Sequence, residues 1–239
     1  MLTTSRSAAL ILGVFLLLGL SSLGSLLGKA ALDHKQLDRT VTVKGLSERE
    51  YQADIVIWPI PFAVASNDLD SLYTDLEVNA AQIRDFLTEN GIQPDEISYA
   101  PPVITDRSAQ QYGGDNRAEF RYVASRMVTV YSENIEGVRA VMNELPELGK
   151  RGIVLTGGDY QSQTEYIFSR LNEVKPEMIE EATRNAREVA QKFAADSQSR
   201  LGKIRRASQG QFSISERDRN NPHIKQVRVV STVEYYLSD

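Results

Sequence analysis

The stretch EEATRNAREVAQKFA, residues 180–194, places an alanine at every fourth position, with charged or polar residues in most of the gaps. Residues four apart lie on one side of an α-helix, so the stretch predicts a helix with a low ridge of small side chains. The alanines of this ridge are Ala182, Ala186, Ala190 and Ala194, and three larger apolar residues are predicted to join it: Met178, Val189 and Phe193. A low ridge lets a helix axis come close to its partner. We expect that partner to be the sheet of the same domain, and another subunit is the alternative.

Composition excludes several classes of function. The chain has 239 residues, of which 41% are apolar, and this is typical of a folded globular protein. Its net charge of −5 and pI of about 5.3 argue against a nucleic-acid partner, which would require a strongly basic face. We interpret the one basic cluster, KIRR at residues 203–206, as a solvated strand edge. Cysteine is absent, which excludes disulfides, thiolate nucleophiles and cysteine-ligated metal sites.

The N-terminal region predicts a membrane segment. Residues 8–27, AALILGVFLLLGLSSLGSLL, carry no charge and have about the length of a helix that spans a hydrocarbon core. Because the apolar core of a signal peptide is usually shorter, roughly 7–15 residues, we predict an uncleaved signal anchor over residues 1–30. A cleaved signal peptide is the alternative. Residues 31–39 are predicted to be a linker, and residues 40–239 the folded domain.

The first half of that domain is predicted to contain a strand, a helix and two more strands. A short strand at Thr40–Val43 is followed by a predicted turn near Gly45 and a long strand at Ala53–Ala65. Pro59 and Pro61 lie in the long strand and predict a free edge or a bulge there. The helical stripe that follows is expected to begin at Asn67 or Asp68 and to end at Asn90-Gly91. Two strands, EISYAPPVITDR and EFRYVASRMVTVYS, come next.

The second half repeats this order of elements. A helix over Ile135–Leu148 precedes it, and the half begins with a strand from Ile153 and an extended segment at Tyr160–Leu171. The alanine helix is predicted at Glu177–Arg200, with Pro176 in its first turn, and two strands then form a closing hairpin. Each half thus reads strand, helix, strand, strand. This pattern predicts an α+β fold in which helices pack on largely antiparallel sheet.

The sequence offers no catalytic, cofactor or metal constellation. His223 is the only histidine of the predicted domain and is interpreted as a solvated residue at a hairpin tip, whereas a serine triad requires a positioned base. Carboxylate pairs at Glu216 with Asp218 and at Asp106 with Asp115 lack the spacing of a metal loop. The glycine pairs 113–114 and 157–158 do not open a helix and are interpreted as turns. Trp58 is interpreted as core or edge packing, with ligand contact as the alternative.

The order of several short motifs resembles the SIMPL domain family, also called the DUF541 family. These motifs are VTVxG at Val41–Gly45, NGI and DEI at residues 90–97, FRYVASRMVTVYSENIEGV, the alanine helix leading into LGxI, and the terminal VSTVEYYL. The resemblance covers residues 40–237.

The resemblance to this family implies a protein of the bacterial envelope, in a family without an agreed catalytic activity. Family members are mostly envelope or periplasmic proteins, some are linked to resistance to oxidative stress, and at least one forms a ring-like oligomer. The resemblance therefore implies a homo-oligomer in the bacterial inner membrane, with its domain in the periplasm and other envelope proteins as further partners. If the signal is cleaved, the protein is instead soluble in the periplasm. A peptide- or small-molecule-binding module and a carboxylate-based hydrolase are the competing hypotheses.

Overall fold

The computed structural model describes residues 3–36, 39–109, 119–157 and 162–238. These residues form five α-helices and ten β-strands. The helices are α1 Thr3–Gln36, α2 Leu69–Glu89, α3 Ile135–Glu144, α4 Pro146–Lys150 and α5 Leu171–Asp196. The strands are β1 Thr40–Gln52, β2 Ile55–Ser66, β3 Ile97–Tyr99, β4 Val103–Asp106, β5 Tyr122–Ser132, β6 Val154–Leu155, β7 Glu165–Ile167, β8 Arg200–Gln209, β9 Ser213–Glu216 and β10 Ile224–Ser238.

As predicted, the fold is α+β. An N-terminal apolar helix comes first in the chain, and the helices that follow pack on largely antiparallel sheets. The predicted order of elements also appears, with β2, α2, β4 and β5 in the first half and β6, α5, β8 and β10 in the second. The chain divides into two compact units. Unit 1 comprises residues 1–48, 174–213 and 228–239, and unit 2 comprises residues 49–173 and 214–227.

Helix α1 contains a segment, Ala8–Lys29, that is long and apolar enough to cross a membrane. Its mean hydropathy is 2.3, and none of it is buried. An N-terminal signal sequence has the same properties, so the helix by itself supports both readings of this region. The helix continues to Gln36, so the predicted linker begins as helix.

Unit 1 is built around a sheet in which β10 lies between β1 and β8. β10 and β8 are antiparallel, with Ser231 opposite Gln209 and Val233 opposite Ala207, so the predicted closing hairpin is confirmed. Its core contains Val43, Val233 and Tyr235. The predicted turn near Gly45 is wrong, because β1 continues without a break from Thr40 to Gln52.

Unit 2 has a second sheet, centred on the antiparallel pair β2 and β5. β3 and β4 extend it beside β5, and β6 and β7 extend it beside β2. Helix α2 packs on β2 and β5 and buries the apolar stripe predicted for it. Its predicted caps are confirmed: Asp68 accepts a hydrogen bond from the Ser71 amide, and Gly91 has a φ of 93°.

The prolines of β2 lie where strand pairing on its outer side is interrupted between β6 and β7. β7 pairs with residues 55–57 of β2 and β6 with residues 62–63, which leaves a gap around Pro59 and Pro61 among the described strands. The Pro61 carbonyl accepts a hydrogen bond from the Thr156 amide, so Pro59 and Pro61 direct their backbone toward this side. The predicted edge is therefore found only as this interruption in pairing between β6 and β7, and β2 itself is paired on both sides.

Three predicted helix boundaries are wrong, and one is the end of α5, which lies at Asp196 instead of Arg200 because Arg200 already belongs to β8. The single helix expected at Ile135–Leu148 is divided into α3 and α4 at Pro146, which has no N–H to continue the ladder of α3. Helix α5 begins at Leu171 instead of Glu177, with Pro176 inside it. Asp54 explains the earlier start, because its carboxylate accepts hydrogen bonds from the Ser169 amide and the Arg170 side chain just before the helix.

Candidate functional site

The four ridge alanines are buried in unit 1, and Ala182 and Ala186 lie against β1. Ala182, Ala186 and Ala190 are fully inaccessible, and Ala194 is nearly so. Gly45 lies beneath the ridge. A methyl group at Gly45 would overlap the Ala182 carbonyl and would lie 2.9 Å from the Ala186 Cβ. The small residues on both elements therefore set the distance between helix and strand.

Two side-chain hydrogen bonds fix the position of α5 along β1. Asn185 Nδ2 donates to the Leu46 carbonyl at 2.8 Å, and Ser47 Oγ donates to Glu181 Oε2 at 2.9 Å. The three larger apolar residues that were expected on the ridge lie partly on the buried face and partly on the exposed face of α5. Met178 is buried as predicted, whereas Val189 and Phe193 are exposed. Residues four apart advance by about 40° around the helix, so the buried stripe turns away from these two positions.

Strand β8 forms a free edge of the unit 1 sheet. Within the described ranges only β10 pairs with it, and every residue from Lys203 to Gln209 is exposed. Gly210, which follows β8, donates its amide to the Val230 carbonyl, so alternate residues before it also face β10. By this alternation, the amides of Ala207 and Gln209 point away from the sheet.

The β8 edge is strongly basic. Its ten residues include four cations and no acid: Arg200, Lys203, Arg205 and Arg206. Arg205 forms an ion pair with Glu234 of β10 at 3.0 Å. Ile204 adds an exposed apolar side chain to the same strand. The prediction that KIRR is a solvated strand edge is therefore confirmed.

His223 in unit 2 is buried, contrary to the prediction of a solvated loop tip. It is 7% exposed, and its ring packs edge-on against Tyr166 with 6.0 Å between centroids. Its carbonyl accepts a hydrogen bond from the Ala53 amide at 2.8 Å. His223 is the last residue before β10 and not the tip of the loop, so it takes part in the packing of the strand.

A cavity of about 180 Å³ opens beside His223 in unit 2. Besides His223, its walls are formed by the end of β1, Gln52 and Ala53, and by the start of α3, Glu133 to Glu136. Asn134 caps α3 by accepting a hydrogen bond from the Gly137 amide. His223 Nδ1 is buried and has no hydrogen-bond partner within the described residues. A polar group in this state is unusual, since buried polar atoms are normally satisfied.

The surroundings of this cavity favour the neutral form of the His223 imidazole. Burial lowers the pKa of His223 below its ordinary value, and the positive charge of Arg139 lowers it further, while Glu136 opposes both. Glu136 contacts Arg139 at 3.4 Å. Glu133 has no cationic partner in the part of the chain that the structure describes. The cavity wall is therefore acidic, with a neutral histidine beside it.

A second cavity of about 360 Å³ shares Glu136 with the first. Arg139, Met142, Asn143 and Tyr166 line it. The Tyr166 hydroxyl is 3.8 Å from the Met142 sulfur, and burial raises the pKa of Tyr166. The two cavities therefore border the same helix, α3.

The carboxylates considered as metal ligands have structural partners. Glu216 pairs with Lys225 at 3.3 Å, and Asp218 accepts hydrogen bonds from the Asn220 and Asn221 amides within its turn. The remaining members of the sequence-derived pairs lie elsewhere. Asp106 pairs with Arg121, and the following lie outside the described residues: Asp115, Gly113, Gly114 and Gly158. No group of three or more His, Cys, Asp or Glu side chains able to hold a metal occurs among the described residues.

Trp58 is 5% exposed and lies in the core of unit 2. The interpretation as a packing residue is therefore confirmed, and this side chain is not available for contact with a ligand.

Comparison with known protein families identifies the family to which the chain belongs. The sequence model of SIMPL, described as a protein of unknown function (DUF541), matches residues 41–234. The chain belongs to the SIMPL family. The match covers all of unit 2 and, in unit 1, the alanine helix and most of the sheet. Among curated proteins, none matches the chain.

Membership of the SIMPL family gives the chain a fold without an assigned chemistry. The features that its geometry offers are the basic β8 edge and the acidic cavity at His223. The sequence contained only a partial signal for the second. Val227, Val229, Val233 and Tyr235 mark the inner face of β10, but Lys225 interrupts this apolar alternation before it reaches His223.

Proposed function

We propose that this SIMPL-family chain is a non-enzymatic, membrane-anchored protein of the bacterial envelope that assembles with itself through the free edge of β8. The main support for this proposal is the position of β8. This ten-residue strand pairs with β10 on one side, and no described strand pairs with its other side. Unpaired N–H and C=O groups along an edge are a template for another chain. Strand addition supplies affinity through the backbone and specificity through alternate side chains.

Charge supports a second copy as the occupant of this edge. The chain as a whole carries −5, although β8 contributes four cations and no acid. The remaining surface is therefore more acidic than the average of the chain, and another copy offers complementary charge. Two β8 strands paired with each other would place cations opposite cations, which is unfavourable. We therefore propose that β8 meets a different surface of its neighbour, the arrangement that generates closed rings or open filaments.

The anchor is the second element of the proposal. The segment Ala8–Lys29 has the length and hydropathy of a membrane span, and Arg6 precedes it. We propose that it stays attached in the inner membrane and that the SIMPL domain lies in the periplasm. Mass measurement of the mature chain tests this point. An N-terminus at Met1 or Leu2 is expected, whereas one near Ala31 would establish cleavage and a soluble periplasmic protein.

The non-enzymatic part rests on the roles that the reactive side chains already have. Glu216, Asp218 and Asp106 are each engaged in an ion pair or a turn. The His223 ring packs against Tyr166, a phenol whose pKa is raised, which is the opposite of what an activated nucleophile requires. We propose that the assembly protects the envelope, with oxidative damage as the stress suggested by other members of the family.

Cross-linking tests the proposed interface, and the absence of native cysteine makes the design simple. A cysteine introduced at Gln209, on the outward side of β8, would be labelled with a photoreactive group in the full chain. We expect cross-linked multimers on irradiation. Glu144→Cys, at an exposed position of α3 in unit 2, is the matched control and should give few cross-linked multimers. Equal yields from both variants, or none from Gln209→Cys, would contradict the proposal.

A further inference from the structure

The cavity beside His223 contains two features that its packing does not explain. His223 Nδ1 is buried without a hydrogen-bond partner, and Glu133 at the wall has no cationic partner within the described residues. A buried imidazole nitrogen without a partner destabilises a fold, because its interaction with water has been lost. Both groups would be satisfied by a molecule that occupies the cavity and carries positive charge.

The balance of charge excludes an anion as the preferred occupant. The N-terminus of α3 carries a partial positive charge of roughly half a unit, which by itself would favour an anion. Two full carboxylates, Glu133 and Glu136, lie at the same wall and outweigh it. The two cations that act on His223 are both paired, Arg139 with Glu136 at 3.4 Å and Arg217 with Asp218 at 2.8 Å, and neither lines the cavity. An ammonium group is attracted to this wall, and a carboxylate or phosphate is repelled.

The hydrogen-bonding groups of the wall also suit an ammonium ion. A neutral imidazole, two carboxylates and the side-chain carbonyls of Gln52 and Asn134 can all accept hydrogen bonds. An alkylammonium ion has three N–H donors and no acceptor. Neutral His223 adds no charge that would oppose it.

We propose that this cavity is a binding site for the primary ammonium group of a small aliphatic amine. The proposal is independent of the assembly at β8. A volume of 180 Å³ equals that of about six water molecules, so it admits an aminoalkyl chain of similar size but excludes a folded peptide. Hydrogen bonds to His223 and Glu133 orient the ammonium group, and the alkyl chain extends toward Ala53 and Ile135.

Calorimetric titration of the full chain in detergent tests this site with three probes of one size. n-Butylammonium carries the proposed group, butyrate reverses the charge, and 1-butanol removes it. We expect saturable binding of n-butylammonium alone at constant ionic strength. Binding of butyrate or butanol with equal affinity would overturn the charge argument. Absence of saturable binding of n-butylammonium across the millimolar range would show that water alone fills the cavity and would overturn the proposal.

Variants assign the binding to the named residues. Glu133 is exposed, so Glu133→Gln should leave the fold intact while it weakens n-butylammonium binding about tenfold, or about 1.4 kcal/mol. Glu144→Gln removes an exposed carboxylate at the opposite end of α3 and should have no effect. In His ¹⁵N spectra, the His223 Nδ1 signal should shift with n-butylammonium in the wild type. Unchanged affinity in Glu133→Gln, or a titration without any shift of this signal, would place the amine elsewhere.

Discussion

A methyl group on Gly45 would lie 2.9 Å from the Cβ of Ala186, closer than side-chain carbon atoms approach in folded proteins. Strand β1 and helix α5 therefore meet with only a hydrogen atom on one side and a methyl group on the other. Neither residue has a reactive group, and their contact determines how the sheet of unit 1 is covered.

This contact predicts that enlargement of Ala186 destabilises the protein. Ala186→Leu forces three further carbon atoms against β1, and overpacking of this kind costs about 1–3 kcal/mol. Arg187→Leu, on the exposed side of the same helix, should change the free energy of unfolding by no more than about 0.5 kcal/mol. Urea denaturation of both variants measures the difference. Equal, negligible effects would show that the ridge is not tightly packed.

The hydrogen bonds of Asp54 predict that its substitution destabilises unit 2. Its carboxylate accepts hydrogen bonds from the Ser169 amide at 2.8 Å and from Arg170 Nε at 3.0 Å. Burial raises the pKa of Asp54, but these hydrogen bonds outweigh it and leave the pKa below its ordinary value. Asp54→Asn should therefore cost about 1–3 kcal/mol of unfolding free energy, because an amide accepts less strongly than a carboxylate. Asp75→Asn, exposed on α2, should lie within about 0.5 kcal/mol of the wild type.

The Asp54 contacts also explain one limit of sequence-based prediction. The caps of α2 were predictable, since Asp68 and Gly91 act within one turn of the helix that they end. The start of α5 was not, because Asp54 fixes it from 115 residues away along the chain. Pro176 was the only local signal, and the start predicted from it, Glu177, is six residues too late.

Gly45 and His223 show a second limit. A glycine in a polar stretch predicts a turn, and only the position of α5 shows that Gly45 allows a close approach of helix and strand. His223 follows Asn-Pro, which favours a loop, and Lys225 then interrupts the apolar alternation of β10. The acidic cavity is formed by residues from β1, α3 and the start of β10, which no local pattern connects.

His223 predicts a dependence of stability on pH. Its pKa in the folded protein lies below the ordinary value of 6.5, so the unfolded chain binds more protons between these two values. The associated stability is fully present above pH 6.5 and is lost as the pH falls through that window. Urea denaturation from pH 7.5 to pH 5 should show this decrease in the wild type. The decrease should be smaller in His223→Gln, and an identical profile in the two proteins would contradict the assignment of a buried neutral imidazole.

The central claim is that the SIMPL domain assembles through the edge of β8, and native mass spectrometry of the full chain in detergent tests it most directly. Ala207→Pro removes an N–H that points away from β10, so it should block strand addition without loss of a bond within the sheet. Ala207→Ser keeps that N–H and is the matched control. The account predicts an oligomer for the wild type and for Ala207→Ser, and a folded monomer with an unchanged melting temperature for Ala207→Pro. A monomeric wild type, or an oligomer of the same mass in Ala207→Pro, would contradict it.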